Sequence, residues 1–163
     1  AEARALYDRL STNEVEPGVV ILYGSMYGNT EQLADVIAQS LASAGVEKIV
    51  CHNVSKSDPS EILADIFRYR GLIVGSPTYC GELFTPIENL LNMVRIRDVK
   101  ERLYAAFGSY TWAPAALKRL RPFAEEMKWE SVSEGMELKM ADLPSVTEAA
   151  WELGVSMAER LKA

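Results

Sequence analysis

Ser25-Met26-Tyr27-Gly28-Asn29-Thr30 is the stretch on which the reading of this chain turns. It follows the apolar run Val19-Val20-Ile21-Leu22-Tyr23 and opens a segment, Glu31 to Ala44, with helical spacing. Strand, short loop and helix in that order form an anion site. The first N–H groups of a helix have no partner inside it, and the helix dipole adds partial positive charge there. Ser25, Tyr27 and Thr30 supply hydroxyls, Asn29 supplies an amide, and Gly28 permits a tight turn with close backbone approach. No Lys or Arg stands in or beside the loop, so a phosphate would be held by neutral donors alone. A solvated turn with a Ser, Thr or Asn helix cap uses the same residues. Two further stretches decide between the readings.

Outward from that loop the chain alternates strand and helix. Residues 19–24 are continuously apolar, which predicts a strand buried on both faces, as in a parallel sheet. The helix after the loop places Leu33, Ile37, Leu41 and Ala44 on one stripe and ends at Gly45. Lys48 to Val54 reads as a second, more mixed strand. Ser57-Asp58-Pro59 starts a second helix with Ile62, Leu63, Ile66 and Phe67 inward. Leu72-Ile73-Val74 is a third strand, followed by a loop from Gly75 to Thr85. A third helix carries Ile87, Leu90, Leu91 and Val94. Leu103 to Phe107 is a fourth strand, with a loop from Gly108 to Pro114, and the next helix carries Leu117, Leu120, Ala124 and Met127.

From Ser131 onward Val132, Met136, Leu138 and Met140 share one parity, with Glu134 the exception. This predicts a fifth, half-exposed edge strand. A last helix carries Val146, Ala150, Leu153, Met157 and Leu161. The fold class is therefore α/β, a doubly wound five-stranded parallel sheet. The two mixed strands belong at the edges, giving the order 2-1-3-4-5. Ligands of such sheets bind at the carboxyl ends of the strands, at the switch between strands one and three. The loops 24–30, 75–85 and 108–114 meet there.

The chain has 163 residues, 48% of them apolar, and a formal charge of −6. One domain with a substantial core is the expectation. The acidic balance, with no basic stripe, argues against a nucleic-acid surface. No apolar run reaches membrane-spanning length. The opening Ala-Glu-Ala-Arg has no signal pattern. Cys51 and Cys80 are isolated and form neither CxxC nor a disulfide framework, so a cytoplasmic setting is expected. His52 is the one histidine and cannot found a metal site or, at the end of an edge strand, a Ser/His/Asp set. Residues 1–18 stand apart. Leu6 and Leu10 lie on one helical face, a polar stretch follows, and Pro17-Gly18 ends it. We expect a helix and linker left from an upstream domain, the alternative being a helix that packs back on this one, with 19–163 as the ligand-binding domain.

The second and third loops each begin Gly-Ser and carry aromatics: Gly75-Ser76-Pro77-Thr78-Tyr79-Cys80-Gly81 and Gly108-Ser109-Tyr110-Thr111-Trp112-Ala113-Pro114. Tyr79, Tyr110 and Trp112 suit the faces of a flat ring, and the backbone of 78–81 and 110–113 suits its polar edge. Beside the first loop they favour a phosphorylated planar ligand. GxGxxG and GxxxxGK[ST] are both absent after strand one. A receiver domain would need an Asp ending strand three, where Gly75 stands. A cysteine phosphatase would need an Arg six residues past its Cys, where Pro86 and Ser57 stand.

Over 19–162 these residues resemble flavodoxins. They resemble most the flavodoxin-like domain of flavodiiron proteins (A-type flavoproteins). The segments 25–30, 75–79 and 106–112 carry the likeness. The resemblance implies FMN as cofactor. Ser25, Tyr27, Gly28, Asn29 and Thr30 would hold its phosphate, with Met26 beneath or beside the ring. Pro77, Thr78, Tyr79, Cys80 and Gly81, and Ser109, Tyr110, Thr111, Trp112 and Ala113, would hold the isoalloxazine. It implies a C-terminal electron-transfer domain of an O2 or NO reductase, next to an upstream metallo-β-lactamase-like di-iron domain. It further implies a redox donor protein, rubredoxin-like or a flavin reductase, and a homo-oligomeric parent. No residues here match the iron ligands, and the chain has no catalytic residues of its own on this reading. Two departures stand out: Tyr79-Cys80-Gly81 where the family often has Asn-Asn-Gly, and Thr111-Trp112-Ala113-Pro114 where it often has Gly-Trp-Gly-Gly. Two alternatives differ in class. A stand-alone FMN-dependent quinone or nitro reductase would turn over with NADH. A non-flavin interaction module would be colourless.

Overall fold

The computed structural model describes residues 15–24, 29–79, 82–97, 99–110, 116–133, 135–139 and 143–162. Among these residues seven strands form one sheet: β1 (Glu16–Tyr23), β2 (Lys48–Asn53), β3 (Tyr69–Tyr79), β4 (Glu82–Leu83), β5 (Leu103–Tyr110), β6 (Glu130–Ser131) and β7 (Met136–Lys139). The main order is β2-β1-β3-β5-β6, with β7 pairing β5 farther along. All these pairs are parallel; only the short β3–β4 pair is antiparallel. With β6 and β7 as two pieces of one edge strand, this is the expected order 2-1-3-4-5. Among the described residues five helices cover the sheet: α1 (Asn29–Ser43), α2 (Pro59–Arg68), α3 (Thr85–Ile96), α4 (Ala116–Met127) and α5 (Leu143–Lys162).

Alternation along the central strands builds a core on each face of the sheet. Val20, Leu22, Leu72, Val74, Tyr104 and Ala106 face one way, under α2, α3 and α4. Val19, Ile21, Tyr23, Ile73, Leu103, Ala105 and Phe107 face the other, under α1 and α5. The continuously apolar run in β1 is thus explained by helices on both sides. Most of the inward stripe residues are buried: Leu33, Ile37 and Leu41; Ile62, Leu63 and Ile66; Ile87, Leu90, Leu91 and Val94; Leu117, Leu120 and Ala124; Ala150, Leu153 and Met157; Ala44, Phe67, Met127 and Leu161 are only partly buried.

Three polar ties hold α2 and its surroundings. Asp58 caps α2, its carboxylate accepting from Ser60 N–H at 2.8 Å. Asp58→Ala is expected to lower stability by about 1 kcal/mol in a denaturant melt. His52 bridges Asp65 Oδ2 at 2.6 Å through Nε2 and Ser57 Oγ at 3.0 Å through Nδ1. With Nε2–H donating to the carboxylate, Nδ1 accepts from the serine hydroxyl. The sequence reading found no Ser/His/Asp set at this histidine. The structure assembles one, and it clamps the end of β2 to α2. Arg102 is the third tie. Its side chain is 3% exposed and donates to the carbonyls of Ile66, Phe67 and Lys100. A cation on the last carbonyls of α2 meets the negative end of the helix dipole.

Four boundaries differ from the sequence reading. β1 begins at Glu16, so Glu16-Pro17-Gly18 is strand rather than linker; residues 1–14 lie outside the described residues. β3 runs on from Val74 to Tyr79, because Ser76 and Pro77 pair with Gly108 and Ser109. β5 likewise reaches Tyr110 rather than ending at Phe107. The edge strand is broken, with Gly135 at φ 88 between its two pieces.

Candidate functional site

The carboxyl ends of β1 and β3 lie side by side. Gly24 N–H donates to Gly75 O at 3.0 Å just past the last paired residues. From that point β1 leads to α1 through residues 25–28, and β3 leads to a two-stranded hairpin with β4. This is the switch point, where the connection from β1 turns toward one face and the sheet continues on the other side.

The ground beneath it is rigid. A Cβ on Gly24 would run into the Phe84 ring and stand 3.2 Å from Ile87 Cγ1. Phe84 N–H in turn donates to Ser76 Oγ at 3.1 Å, and Ser76 Oγ–H donates to Pro77 O at 2.9 Å. Ser76 is fully buried. One hydroxyl therefore fixes both the outgoing strand and the return of the hairpin. A Cβ on Gly75 would fall inside the Phe107 ring, so that ring lies flat across the strand. Tyr23, the last residue of β1, donates its hydroxyl to Glu31 Oε1 at 3.3 Å. Burial, with Glu31 beside it, pushes the phenol up to about 12, so it remains a neutral donor at physiological pH.

The candidate residues divide as follows. Asn29 and Thr30 are the first two residues of α1, and Thr30 is 1% exposed. They form the helix N-terminus at the switch point. Ser25, Met26, Tyr27 and Gly28 lie outside the described residues. Pro77 is buried in β3, and Thr78 and Tyr79 pair with Leu83 and Glu82 in the hairpin. Cys80 and Gly81 lie outside the described residues. Ser109 and Tyr110 are the last residues of β5, paired with β7; Thr111, Trp112 and Ala113 lie outside the described residues. The two aromatic loops are thus launched from adjacent parallel strands at one end of the sheet. Sequence reasoning missed Ser76 and Phe84 as the residues that shape the base of the site. Ser76 was visible only as part of a Gly-Ser repeat, and Phe84 had no polar signal at all.

Among the described residues no group of three or more His, Cys, Asp and Glu side chains could hold a metal ion. No helix among them is long and apolar enough to cross a membrane. The donor set at the switch point is neutral: backbone N–H groups of α1 and a buried threonine hydroxyl. Such a set fits a phosphate held by amides and hydroxyls.

An open doubly wound sheet of order 2-1-3-4-5, with its ligand end at the β1/β3 switch, is a flavodoxin-like fold. A model of the flavodoxin family matches residues 21–154, and the chain belongs to that family, whose cofactor is FMN. Over 111 residues it is 38% identical to an anaerobic nitric oxide reductase flavorubredoxin of Vibrio vulnificus, covering 68% of this chain and 22% of that protein. Over 144 residues it is 31% identical to a diflavin flavoprotein of Synechocystis, described as putative, covering 88% of this chain and 24% of that protein. The chain thus spans about a quarter of the curated relatives it matches. Among solved structures, the rubredoxin:oxygen oxidoreductase of Desulfovibrio gigas superposes with a TM-score of 0.90 at 24% identity, covering 96% of this chain and 39% of that one. The flavodiiron core Flv1 of Synechocystis superposes at 0.83 with 27% identity, covering 99% of this chain and 39% of that one. An archaeal flavodoxin superposes at 0.75 with 22% identity, and there the match covers 99% of the other chain.

Proposed function

We propose that this chain is the FMN-binding electron-transfer domain of a flavodiiron O2 or NO reductase, placed C-terminal to a di-iron domain. The observation that carries the reading is the switch point itself. Asn29 and Thr30 open α1 beside the Gly24–Gly75 junction, with two aromatic loops launched from β3 and β5. The likeness to flavorubredoxin and flavodiiron proteins supports the parent, and the share of those chains covered supports a larger whole.

Bound FMN would supply one- and two-electron redox chemistry. The chain's own residues bind and orient it. Ser25, Tyr27, Asn29, Thr30 and the α1 amides hold the phosphate. Thr78 to Gly81 and Ser109 to Ala113 flank and edge the ring, Pro77 backs the second loop, and Met26 lies against the ring. The segment before β1 joins the domain to its upstream partner. The electron donor is a rubredoxin-like protein or a flavin reductase, the parent is a homo-oligomer, and the setting is cytoplasmic. A visible absorption spectrum of the purified protein with added FMN is the test. A saturable one-to-one flavin spectrum, reducible by dithionite and with no NADH turnover, is expected. A colourless protein that ignores FMN would sink the reading, and turnover with NADH alone would favour a stand-alone reductase.

Trp112 offers a local check. As a ring contact it quenches bound FMN fluorescence, so Trp112→Ala is expected to restore part of the emission. Binding should weaken by about 0.5–1.5 kcal/mol from the lost aromatic pair. The apoprotein melt should scarcely move. A large apoprotein loss with unchanged fluorescence would make Trp112 a cap on the sheet instead.

A further inference from the structure

At the opposite end of the sheet, where the strands begin, lies a cavity of about 580 Å³. It is lined by Arg70 of β3, by Glu101 and Arg102 before β5, and by Lys128, Trp129 and Glu130 at the start of β6. Its volume is in the range of small-molecule sites. Its charge runs against that of the chain, which carries a net −6. Glu130 is held by Arg160 through two hydrogen bonds of 2.5 and 2.7 Å. Arg70 helps Arg160 hold the Glu130 carboxyl below its usual range without a direct ion pair, and Lys128 forms no ion pair among the described residues. Arg102 is 3% exposed and satisfies three of its five N–H donors with carbonyls. No carboxylate among the described residues hydrogen-bonds to it; Glu101, in the same lining, supports its charge through space while burial disfavours it.

Backbone conformation gives a second, independent sign. Among the described residues, Glu101 at φ 57 and Lys128 at φ 59 are the only non-glycine residues at positive φ, and both line this cavity. Lys128 closes α4 by the αL turn in which Trp129 N–H returns to Ala124 O and Lys128 N–H to Glu125 O. The end of α1 makes the same turn, with Val46 bonded to Leu41 and Gly45 to Ala42, and there the αL residue is Gly45 at φ 94. Glycine suits that position and lysine does not. A strained residue held at a cavity wall is an observation from which function is argued.

We propose that this cavity is a binding site for a small phosphate-bearing anion, held between Arg70, Lys128 and the buried guanidinium of Arg102. Three cations in one lining, against Glu101 and an Arg160-bound Glu130, suit a multiply charged oxyanion better than a planar carboxylate, which one arginine serves by its two parallel N–H groups. Leu103 and Trp129 leave an apolar wall for the organic part of a phosphate ester.

The probe is pyrophosphate, titrated into FMN-loaded protein so that the flavin phosphate site is already filled, with sodium chloride at equal ionic strength as control. A saturable rise in Tm and a saturable calorimetric isotherm are expected. Arg70→Ala should weaken pyrophosphate at least tenfold. Lys128→Gly should weaken it several-fold while raising the Tm of the pyrophosphate-free protein, because the αL strain is relieved. FMN affinity should be the same in all three proteins. Arg102 is not the test residue, since its loss would unfasten α2. No saturable response beyond the chloride control, or equal pyrophosphate affinity in the wild type and both variants, would overturn the proposal.

Discussion

FMN affinity is expected to fall by at least about a hundredfold in the Ser25→Ala, Thr30→Val protein, while riboflavin affinity stays as it was. Hydrogen bonds to a charged group are each worth about 1.5–3 kcal/mol net, so losing two at a dianion is a large effect. With no Lys or Arg in or beside residues 25–30, no flexible cation is at hand to take over the load. Riboflavin shares the ring and ribityl chain but lacks the phosphate, so it isolates the phosphate contribution. Thr30 is 1% exposed in the first turn of α1, which gives its loss a second route of action, through the helix. Thr30→Ser, which keeps the hydroxyl, separates the two: it should bind FMN nearly as the wild type does. Equal losses for FMN and riboflavin would show that the α1 N-terminus is not the phosphate site.

Phe107→Ala is expected to cost about 3–5 kcal/mol, read as a fall in the denaturant midpoint of the apoprotein. Phe107 is fully buried, and its ring lies over Gly75 in the paired strand. Gly75→Ala should also destabilise, because the new methyl group would enter the space of that ring. The two substitutions remove and fill the same volume, so they should not add. The double variant is expected to be more stable than the sum of the single losses implies, the mark of residues in direct contact. Strict additivity would mean that the ring does not rest on Gly75.

Much of the architecture was legible because each helix writes its buried stripe in local spacing. Ile62, Leu63 and Ile66, or Ile87, Leu90, Leu91 and Val94, needed no distant partner to be recognised. The carboxyl end of β3 was read as loop because Gly75 and Pro77 ordinarily interrupt a strand. Here glycine makes room for Phe107, and the pairing of Ser76 and Pro77 with β5 carries the strand onward. Glu134, the exception in the alternating pattern, precedes in sequence Gly135, where the edge strand is broken. Arg102 and His52 were opaque because their partners, the end of α2 and Asp65, are brought to them only by the fold. At the site, the phosphate position was legible from a loop and a helix start adjacent in sequence. The roles of Ser76 and Phe84 were not, since a hydroxyl bonded to a backbone N–H eight residues on leaves no pattern.

The divided outer strand also bears on how the protein behaves in a crowd. A sheet ending in one long, straight strand offers neighbouring molecules a rail of free amides and carbonyls on which to add a strand of their own. Here that rail is cut. β6 contributes two residues and β7 four, with the chain turned out of line at Gly135 between them. A Cβ at 135 would stand 2.7 Å from Ala106 O and 2.5 Å from Leu117 Cδ1, so the turn is locked against β5 and α4. At this edge an incoming strand would find no register longer than the short run of β7, and this side of the sheet resists being extended by its neighbours.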